Sequence, residues 1–280
     1  MNDNKTSKNS IVAKFAVPIS FLILFFLAAN FTDCDLVTFW KRRNHLTDLV
    51  VDMIPPDFSY IQKILLPLFY TIQMSVTGTV LGTFFALVLS PFGAANLGFP
   101  AVIRRILRIV IQILRSFPAL ILALTATFLF GLGTFAGTFA ITLYTFAIMT
   151  KLTYEDASAA DVKAYQALRA MGVSKYVAYI HGILPEIIPG FLTNALYLLE
   201  TNVRHSSILG YVGAGGIGLL LNEKISWLEY DKVGTILLML FLTVCVIEYF
   251  SRYLTALIRK ERTIKKSRPD CCFCFWLPCF

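Results

Sequence analysis

The sequence predicts an all-α, polytopic membrane protein with about six membrane-spanning helices. Of its 280 residues, 57% are hydrophobic and only 15% are charged, whereas a soluble domain carries about 25% charged residues. No charged residue occurs in two long blocks, 64–103 and 116–150, and each block exceeds the roughly 20 apolar residues of one crossing. Only helices and closed barrels cross lipid, and the continuous, non-alternating apolar runs favour helices.

The first predicted span covers about residues 15–31, preceded by three lysines. A cleaved signal peptide is the competing interpretation. The apolar stretch is longer than a usual signal core and no clear small-x-small cleavage site follows, which favours an uncleaved anchor. Residues 32–63 are polar, of mixed charge, and contain a Pro-Pro-Asp turn at 55–57, so they predict an external connector.

Local breaks separate the later spans. Five further spans are predicted at about 67–89, 109–130, 134–150, 189–211 and 233–253. Pro91 and Gly93 follow the first of these, and a Gly-Leu-Gly turn at 131–133 separates the next two. The predicted organisation is an anchor and connector (1–66), a membrane core (67–258) with a cytoplasmic loop (151–188), and a basic, cysteine-rich tail (259–280).

The formal net charge of +8 is explained by topology. With the N-terminus inside, 18 of the 25 lysines and arginines fall in the inner segments. The positive-inside rule therefore predicts that both termini are cytoplasmic, with the basic segments against anionic lipid. No basic stripe with interleaved aromatic residues occurs on a soluble domain, so no nucleic-acid partner is expected.

Residues 165–189, YQALRAMGVSKYVAYIHGILPEIIP, predict a helix–turn–helix on the inner membrane face. One short helix forms before Gly172, which permits a tight turn because it has no Cβ. A second helix runs over 176–182 and ends at Leu184-Pro185. An ordinary amphipathic loop between spans is the alternative.

This stretch resembles the coupling loop of ABC-importer permeases, whose pattern is E-A-A, three residues, G, nine residues, then I-x-L-P. The residues in register are Ala167, Gly172, Leu184 and Pro185. The departures are Gln166 for the acid, Leu168 for the second alanine and Gly182 for the isoleucine. The resemblance implies that this loop docks as a short helix into a groove on the ATPase, with Gly172 setting the turn and Pro185 the exit.

Further stretches are similar to phosphonate-importer permeases, in the family's order. They are PPDFS (55–59), RSFPALILAL with FGLGTFAG (within 115–137), KLTYED (151–156) and ETNVRHSSILGYVGAGGIG (200–218). The resemblance covers most of residues 55–258. It implies a type I ABC importer permease (MetI-like) architecture and a translocation pathway for phosphonate or a related small anion across the inner membrane. A permease for phosphate, phosphite or another small solute is the alternative within this class.

The resemblance also implies partners. These are a second permease copy forming a homodimer, two cytoplasmic ATPase subunits and an external substrate-binding protein. ATP would be bound and hydrolysed by the ATPase subunits only, so no catalytic residue is expected in this chain. Closure of the ATPases would switch the pathway between outward and inward access.

The segment VGAGGIG contains Gly213, Gly215, Gly216 and Gly218. A dinucleotide site needs such glycines after a strand, at the start of a helix. Here they follow a membrane helix on the predicted outer side, which argues against nucleotide binding. Two interpretations stay open: a tightly packed turn at the external mouth, or a gate or docking surface for the binding protein.

Glu200 and Arg204 are four residues apart and share a helix face. Charges in spans usually face a pore or each other. Either the two form an ion pair that allows the helix to insert, or Arg204 helps to pass an anion such as phosphonate. Polar lining would be added by Asn202, His205, Ser206 and Ser207.

The chain ends in CCFCFWLPCF, with thiols at Cys271, Cys272, Cys274 and Cys279. The cytosol is reducing, which disfavours disulfides there. Four thiolates suit a [4Fe–4S] cluster or zinc. The separated C-x-x-C knuckles of zinc sites are missing, which favours a [4Fe–4S] cluster over zinc. A tail with incidental thiols stays open, and a membrane redox protein built around the tail is the alternative from a different functional class.

Overall fold

The described residues of the computed structural model are 18–28, 40 and 43–266. This part of the chain is helical and contains no strand. The chain separates after Ile54 into two units. The first contains α1 (Pro18–Ala28) and α2 (Arg43–Asp52). At about 1.5 Å per residue, α1 is shorter than the roughly 30 Å of a hydrocarbon core. The remainder of the predicted first span lies outside the described residues.

The second unit contains nine α-helices within its described residues. They are α3 (Ile61–Gly93), α4 (Ala101–Ser116), α5 (Ala119–Phe130), α6 (Thr134–Ala159), α7 (Lys163–Ala170), α8 (Lys175–Gly182), α9 (Leu184–Leu209), α10 (Ile217–Ser226) and α11 (Tyr230–Lys266). By length and composition, α3, α6 and α11 suffice to cross a membrane, and the bent pairs α4–α5 and α8–α9 would raise the number of spans in the described residues to five.

The predicted span at 109–130 is not one continuous helix. The structure divides this region into α4 and α5, which meet at an angle of 91°. Pro118 explains the break: a residue before proline is pushed out of the helical region, and Phe117 is extended, with φ −84° and ψ 124°. Hydropathy alone does not reveal the break because residues on both sides of it are apolar.

Three of the other predicted spans, 67–89, 134–150 and 233–253, are shorter than the helices that contain them. Helix α3 begins at Ile61 and continues through Pro67 and Pro91, while α6 continues to Ala159 and α11 to Lys266. The apolar run marks only the part of a helix that lies in the hydrocarbon of the membrane. Backbone hydrogen bonds extend the helix beyond this part, into polar residues.

Helices α3 and α6 pack closely because α3 presents two glycines four residues apart. A Cβ on Gly78 would lie 2.7 Å from Ile141 Cγ2, and one on Gly82 would lie 2.8 Å from the Thr142 carbonyl oxygen. Small residues at this spacing let helix backbones approach in membranes. The α3–α6 pair is therefore the centre of the bundle.

The two ends of this bundle are built differently. At one end, the Tyr165 hydroxyl donates to the Leu97 carbonyl over 2.7 Å, which ties α7 to the segment after α3. At the other end, the Gly133 N–H donates to the Gly213 carbonyl over 3.0 Å. The α7–α8 hairpin and the glycine-rich loop therefore lie at opposite ends of α3. This arrangement is expected when consecutive spans cross the membrane in alternating directions.

Candidate coupling and translocation site

The predicted helix–turn–helix is present as α7 and α8. Gly172 joins them with φ +84°, in the left-handed region that favours glycine. Ser174 caps α8, its hydroxyl accepting the Val177 N–H over 3.4 Å. Pro185 lies in the first turn of α9, where a missing N–H costs nothing. The sequence pattern therefore produces a fixed hairpin rather than an irregular loop.

A small core holds the hairpin together. Tyr165, Ala178 and Tyr179 are buried, and the Tyr179 hydroxyl lies 3.2 Å from the Ser90 hydroxyl of α3. Burial raises the pKa of the Tyr165 hydroxyl, so it stays a neutral donor. A Cβ on Gly182 would lie only 2.9 Å from Tyr165 Cα. This close approach explains the glycine where the coupling-loop pattern has isoleucine.

The outer face of the hairpin is partly apolar. The exposed apolar side chains are Met171, Tyr176, Val177 and Ile180. Of the predicted coupling residues, Gln166, Ala167, Gly172 and Pro185 are exposed, while Leu168 and Leu184 pack against the hairpin core. An exposed apolar patch at the end of the bundle, beyond the spans, is typical of a protein interface.

In the interior of the bundle, a column of hydroxyl groups on α3 forms hydrogen bonds with the surrounding helices. Thr71 Oγ1 accepts the Ile217 N–H over 2.8 Å, and Ser75 Oγ lies 2.7 Å from Ser206 Oγ. Asn202 Nδ2 donates to Thr79 and to Thr145 of α6, both over 2.8 Å. These bonds tie α3 to α6, α9 and α10, as polar groups do between helices in lipid.

This placement changes the interpretation of three predicted lining residues. Asn202 and Ser206 are fully buried, and Ser207 nearly so. Asn202 Nδ2 and the two serine hydroxyls pair with other helices or with their own backbone, whereas Asn202 Oδ1 has no hydrogen-bond partner among the described residues. Within this chain they pack helices together and face no open surface. Sequence reasoning missed the α3 partners, although Thr71, Ser75, Thr79 and Thr83 recur every fourth residue in an uncharged block.

Arg204 forms an ion pair with Glu200, as one of the two open interpretations expected. Glu248 of α11 lies 3.9 Å from Arg204 and also pairs with Arg252. Sequence reasoning missed Glu248 and Arg252, which repeat the spacing of Glu200 and Arg204 in another apolar span. The four charges form a chain between α9 and α11.

Tyr197, which is exposed, and Thr201, which is half-buried, continue this polar face of α9. Tyr197 is 63% exposed and lies one turn before Thr201, and Arg204 follows on the same side. His205 is half-buried, with its ring 5.3 Å from that of Tyr144. A charged, exposed stripe on a span is unfavourable against lipid. We therefore expect this face of α9 to contact water or another protein chain.

The glycine-rich loop is a tightly packed turn. Gly213, Gly215 and Gly216 have φ of +80°, +80° and +71°. A Cβ on Gly218 would lie 2.0 Å from the Ser207 carbonyl oxygen, so α10 crosses the end of α9 with the backbones in contact. The loop follows a helix, and no strand precedes it in the described residues.

Charge removal separates the two interpretations of Arg204. We expect Glu200→Gln and Arg204→Gln each to lower the amount of folded protein in membranes several-fold. Arg204→Gln leaves the Glu200 carboxylate without its partner, and Glu200→Gln leaves Arg204 with only the longer contact to Glu248, at 3.9 Å. The double variant should recover folding, measured by thermal stability in detergent. Anion uptake by the folded double variant then distinguishes the two interpretations. Retained uptake indicates that Arg204 serves only in the ion pair, whereas lost uptake indicates that Arg204 helps to pass the anion. A double variant as unstable as either single one would contradict the pairing.

The comparisons with known proteins agree with the geometry. The family model described as "Binding-protein-dependent transport system inner membrane component" matches residues 78–261. The phosphite transport system permease protein PtxC of Stutzerimonas stutzeri is 31% identical over 217 residues, covering 78% of this chain and 79% of that protein. The phosphate-import permease protein PhnE of Mycolicibacterium smegmatis is 31% identical over 203 residues, covering 72% of this chain and 38% of that protein.

Solved structures give the same fold. The inward-facing methionine ABC transporter MetNI superposes with a TM-score of 0.63 at 20% identity, covering 72% of this chain and 99% of the matched chain. An amino acid ABC transporter superposes with a TM-score of 0.57 at 15% identity, with the same coverage. The predicted all-α, MetI-like permease architecture is thus confirmed.

These matches give no support to the alternative of a membrane redox protein. They place the chain among non-catalytic, multi-pass permeases of the inner membrane, whose ATPase is a separate subunit and which work with a substrate-binding protein. The chain belongs to the family of binding-protein-dependent transport system inner membrane components, the permease subunits of ABC importers.

Proposed function

We propose that this permease carries a phosphorus oxyanion, namely phosphonate, phosphite or phosphate, along the exposed polar face of α9. The observation that carries the proposal is Arg204, a guanidinium that is 48% exposed on a membrane-spanning helix although it pairs with Glu200. Guanidinium groups suit oxyanions because their donors match the oxygen geometry. The names of the relatives in Stutzerimonas stutzeri and Mycolicibacterium smegmatis, which include phosphite and phosphate, support the same substrate class.

The α7–α8 hairpin is the proposed docking element for the ATPase. Its exposed apolar patch lies beyond the spans, and the hairpin continues into α9, which carries Arg204. The excess of lysine and arginine in the segments on the same side supports a cytoplasmic hairpin and cytoplasmic termini.

A homodimer is the proposed assembly, because a second copy would cover the charged face of α9 and enclose a pathway. An importer with two different permeases is the competing arrangement. The mass of the purified complex decides: two copies of this chain per complex support the homodimer, whereas one copy beside another permease contradicts it.

The experiment that tests the substrate class is anion-stimulated ATP hydrolysis. The complex of this permease with its ATPase and binding protein is placed in liposomes, and phosphite, phosphate and methylphosphonate are added separately. We expect at least one of them to stimulate hydrolysis several-fold in the presence of the binding protein. Stimulation by none of the three, with stimulation by an amino acid, would contradict the proposal.

The C-terminal thiols stay a prediction, because the tail lies outside the described residues. We propose a four-thiolate site with [4Fe–4S] preferred to zinc. Protein purified anaerobically should then contain iron and absorb in the thiolate–iron charge-transfer region, and deletion of residues 271–280 should remove both signals. A colourless, metal-free preparation contradicts the site. Unchanged uptake after the deletion shows that the tail has no direct part in transport.

A further inference from the structure

A cavity of about 330 Å³ lies where the α4–α5 break faces α9. Its lining residues are Pro118, Ala119, Leu120, Tyr144, His205, Ile208 and Leu209. A water molecule occupies about 30 Å³ in the liquid, so the cavity is large enough for a small tetrahedral anion with some of its hydration water. The cavity exists because Pro118 turns the chain by about a right angle instead of continuing α4.

Two side chains give this cavity its polar chemistry. The Tyr144 and His205 rings meet edge to face, with their centroids 5.3 Å apart. His205 Nδ1 is buried without a hydrogen-bond partner among the described residues. Each side chain has one group able to donate, a phenol O–H and an imidazole N–H. The remaining walls are apolar, so these two side chains are the side-chain hydrogen-bond donors that the cavity offers to an anion.

Positive charge is close to this cavity and is not neutralised. Arg115 lies in the last turn of α4, three residues before Pro118 of the cavity wall, and forms no ion pair with any described residue. Another cavity of about 330 Å³, lined by Tyr197, Glu200 and Arg252 among others, does not have such an unpaired positive charge in its wall. Its arginine is paired with Glu248 and its own wall contains a carboxylate. The first cavity is therefore the better complement to an anion.

The position of the cavity links it to the proposed pathway. Ile208 is 55% exposed on α9 and lies one turn beyond Arg204, on the same exposed side of the helix. His205 is the next residue after Arg204 and faces the cavity. An ion that leaves Arg204 would thus meet His205 without crossing the packed interior.

We propose that this cavity is a binding site for the phosphorus oxyanion during its passage, with Tyr144 and His205 donating to its oxygens and Arg115 supplying the opposing charge. The inference rests on the proposed function for its substrate class. It goes beyond that function by giving the permease a substrate site of its own, next to the break between α4 and α5.

The test compares KM and kcat for phosphite, phosphate and methylphosphonate uptake into liposomes that contain the complete importer. The variants are Tyr144→Phe, His205→Leu and Arg115→Gln. Arg105→Gln on α4 and Tyr249→Phe on α11 are matched controls, because both side chains are exposed and neither lines the cavity. A hydrogen bond to a charged group contributes about 1.5–3 kcal/mol, so we expect KM to rise about tenfold or more in each variant, with the controls unchanged. Arg115→Lys should recover part of the loss.

The outcomes distinguish the two proposals. If the wild-type importer takes up an anion but KM is unchanged in Tyr144→Phe and Arg115→Gln, the cavity is not a substrate site. The proposed function would still hold in that case. That result would fit occupation of the cavity by a lipid chain. Failure of the wild-type importer to take up any of the three anions, while it hydrolyses ATP, overturns the proposed function and this inference with it. Tyr144→Phe removes a single oxygen, so it keeps the test usable if His205→Leu fails to fold.

Discussion

Replacement of Gly172 by valine is expected to uncouple ATP hydrolysis from transport. Gly172 has φ +84°, and no atom lies within 4 Å of the position that a Cβ would take, so the substitution acts on the backbone and not by collision. A β-branched residue in this region costs about 1–3 kcal/mol. The turn should relax to negative φ and change the angle between α7 and α8, which displaces the exposed patch from its partner.

Uptake by Gly172→Val liposomes should fall several-fold at least, while membrane insertion and thermal stability stay near those of the wild type. Gly172→Asn is the matched control, because asparagine tolerates the left-handed region, and it should retain most of the uptake. Normal uptake by Gly172→Val would contradict the coupling role of the hairpin. Equal loss in the valine and asparagine variants would show that the backbone conformation is not the cause.

Replacement of Gly218 by alanine is expected to disrupt the glycine end of the bundle. The new methyl group would lie 2.0 Å from the Ser207 carbonyl oxygen and 2.8 Å from Gly210 Cα. Both are backbone atoms, so α9 and α10 must separate, and overpacking of this kind costs about 1–3 kcal/mol or more. The bond between Thr71 and the Ile217 N–H should be lost together with this contact.

Gly190→Ala is the control for this prediction. Its Cβ would lie 3.8 Å from the nearest atom, Asp156 Oδ2, and alanine favours a helix over glycine by about 1 kcal/mol. Thermal unfolding in detergent should therefore show a lower midpoint for Gly218→Ala and an equal or higher midpoint for Gly190→Ala. Equal midpoints in both variants would contradict the backbone contact.

Helix α9 connects the proposed docking element with the proposed pathway. It begins at Leu184, immediately after the hairpin, and its 26 residues extend for about 39 Å at 1.5 Å per residue. Arg204 lies near its far end, beside the glycine-rich loop. One continuous helix thus joins the hairpin to the polar face of α9, and we propose it as the route by which closure of an ATPase changes access to the pathway.

Local chemistry made some features predictable from sequence. The helix–turn–helix depends on Gly172 and Pro185, whose backbone requirements act within a few residues. The Glu200–Arg204 pair follows from helical spacing. The break at Pro118 was missed because the apolar content on both sides resembles a single span, although the proline itself was a signal.

Features that depend on tertiary contact could not be predicted in the same way. Asn202 is buried because Thr79 and Thr145, from two other helices, meet it in the bundle. Glu248 reaches Arg204 only after α11 packs on α9. No single-helix pattern places these partners together, and the cavity beside Tyr144 also requires the 91° bend.

ATP-driven uptake of labelled phosphite, phosphate and methylphosphonate tests the central claim most directly. Liposomes contain the permease with its ATPase, the binding protein is added outside, and ATP is supplied to the ATPase side. We predict that at least one of the three anions accumulates against its gradient, only when ATP and the binding protein are both present. An assembled complex that hydrolyses ATP but accumulates none of the three would contradict the account.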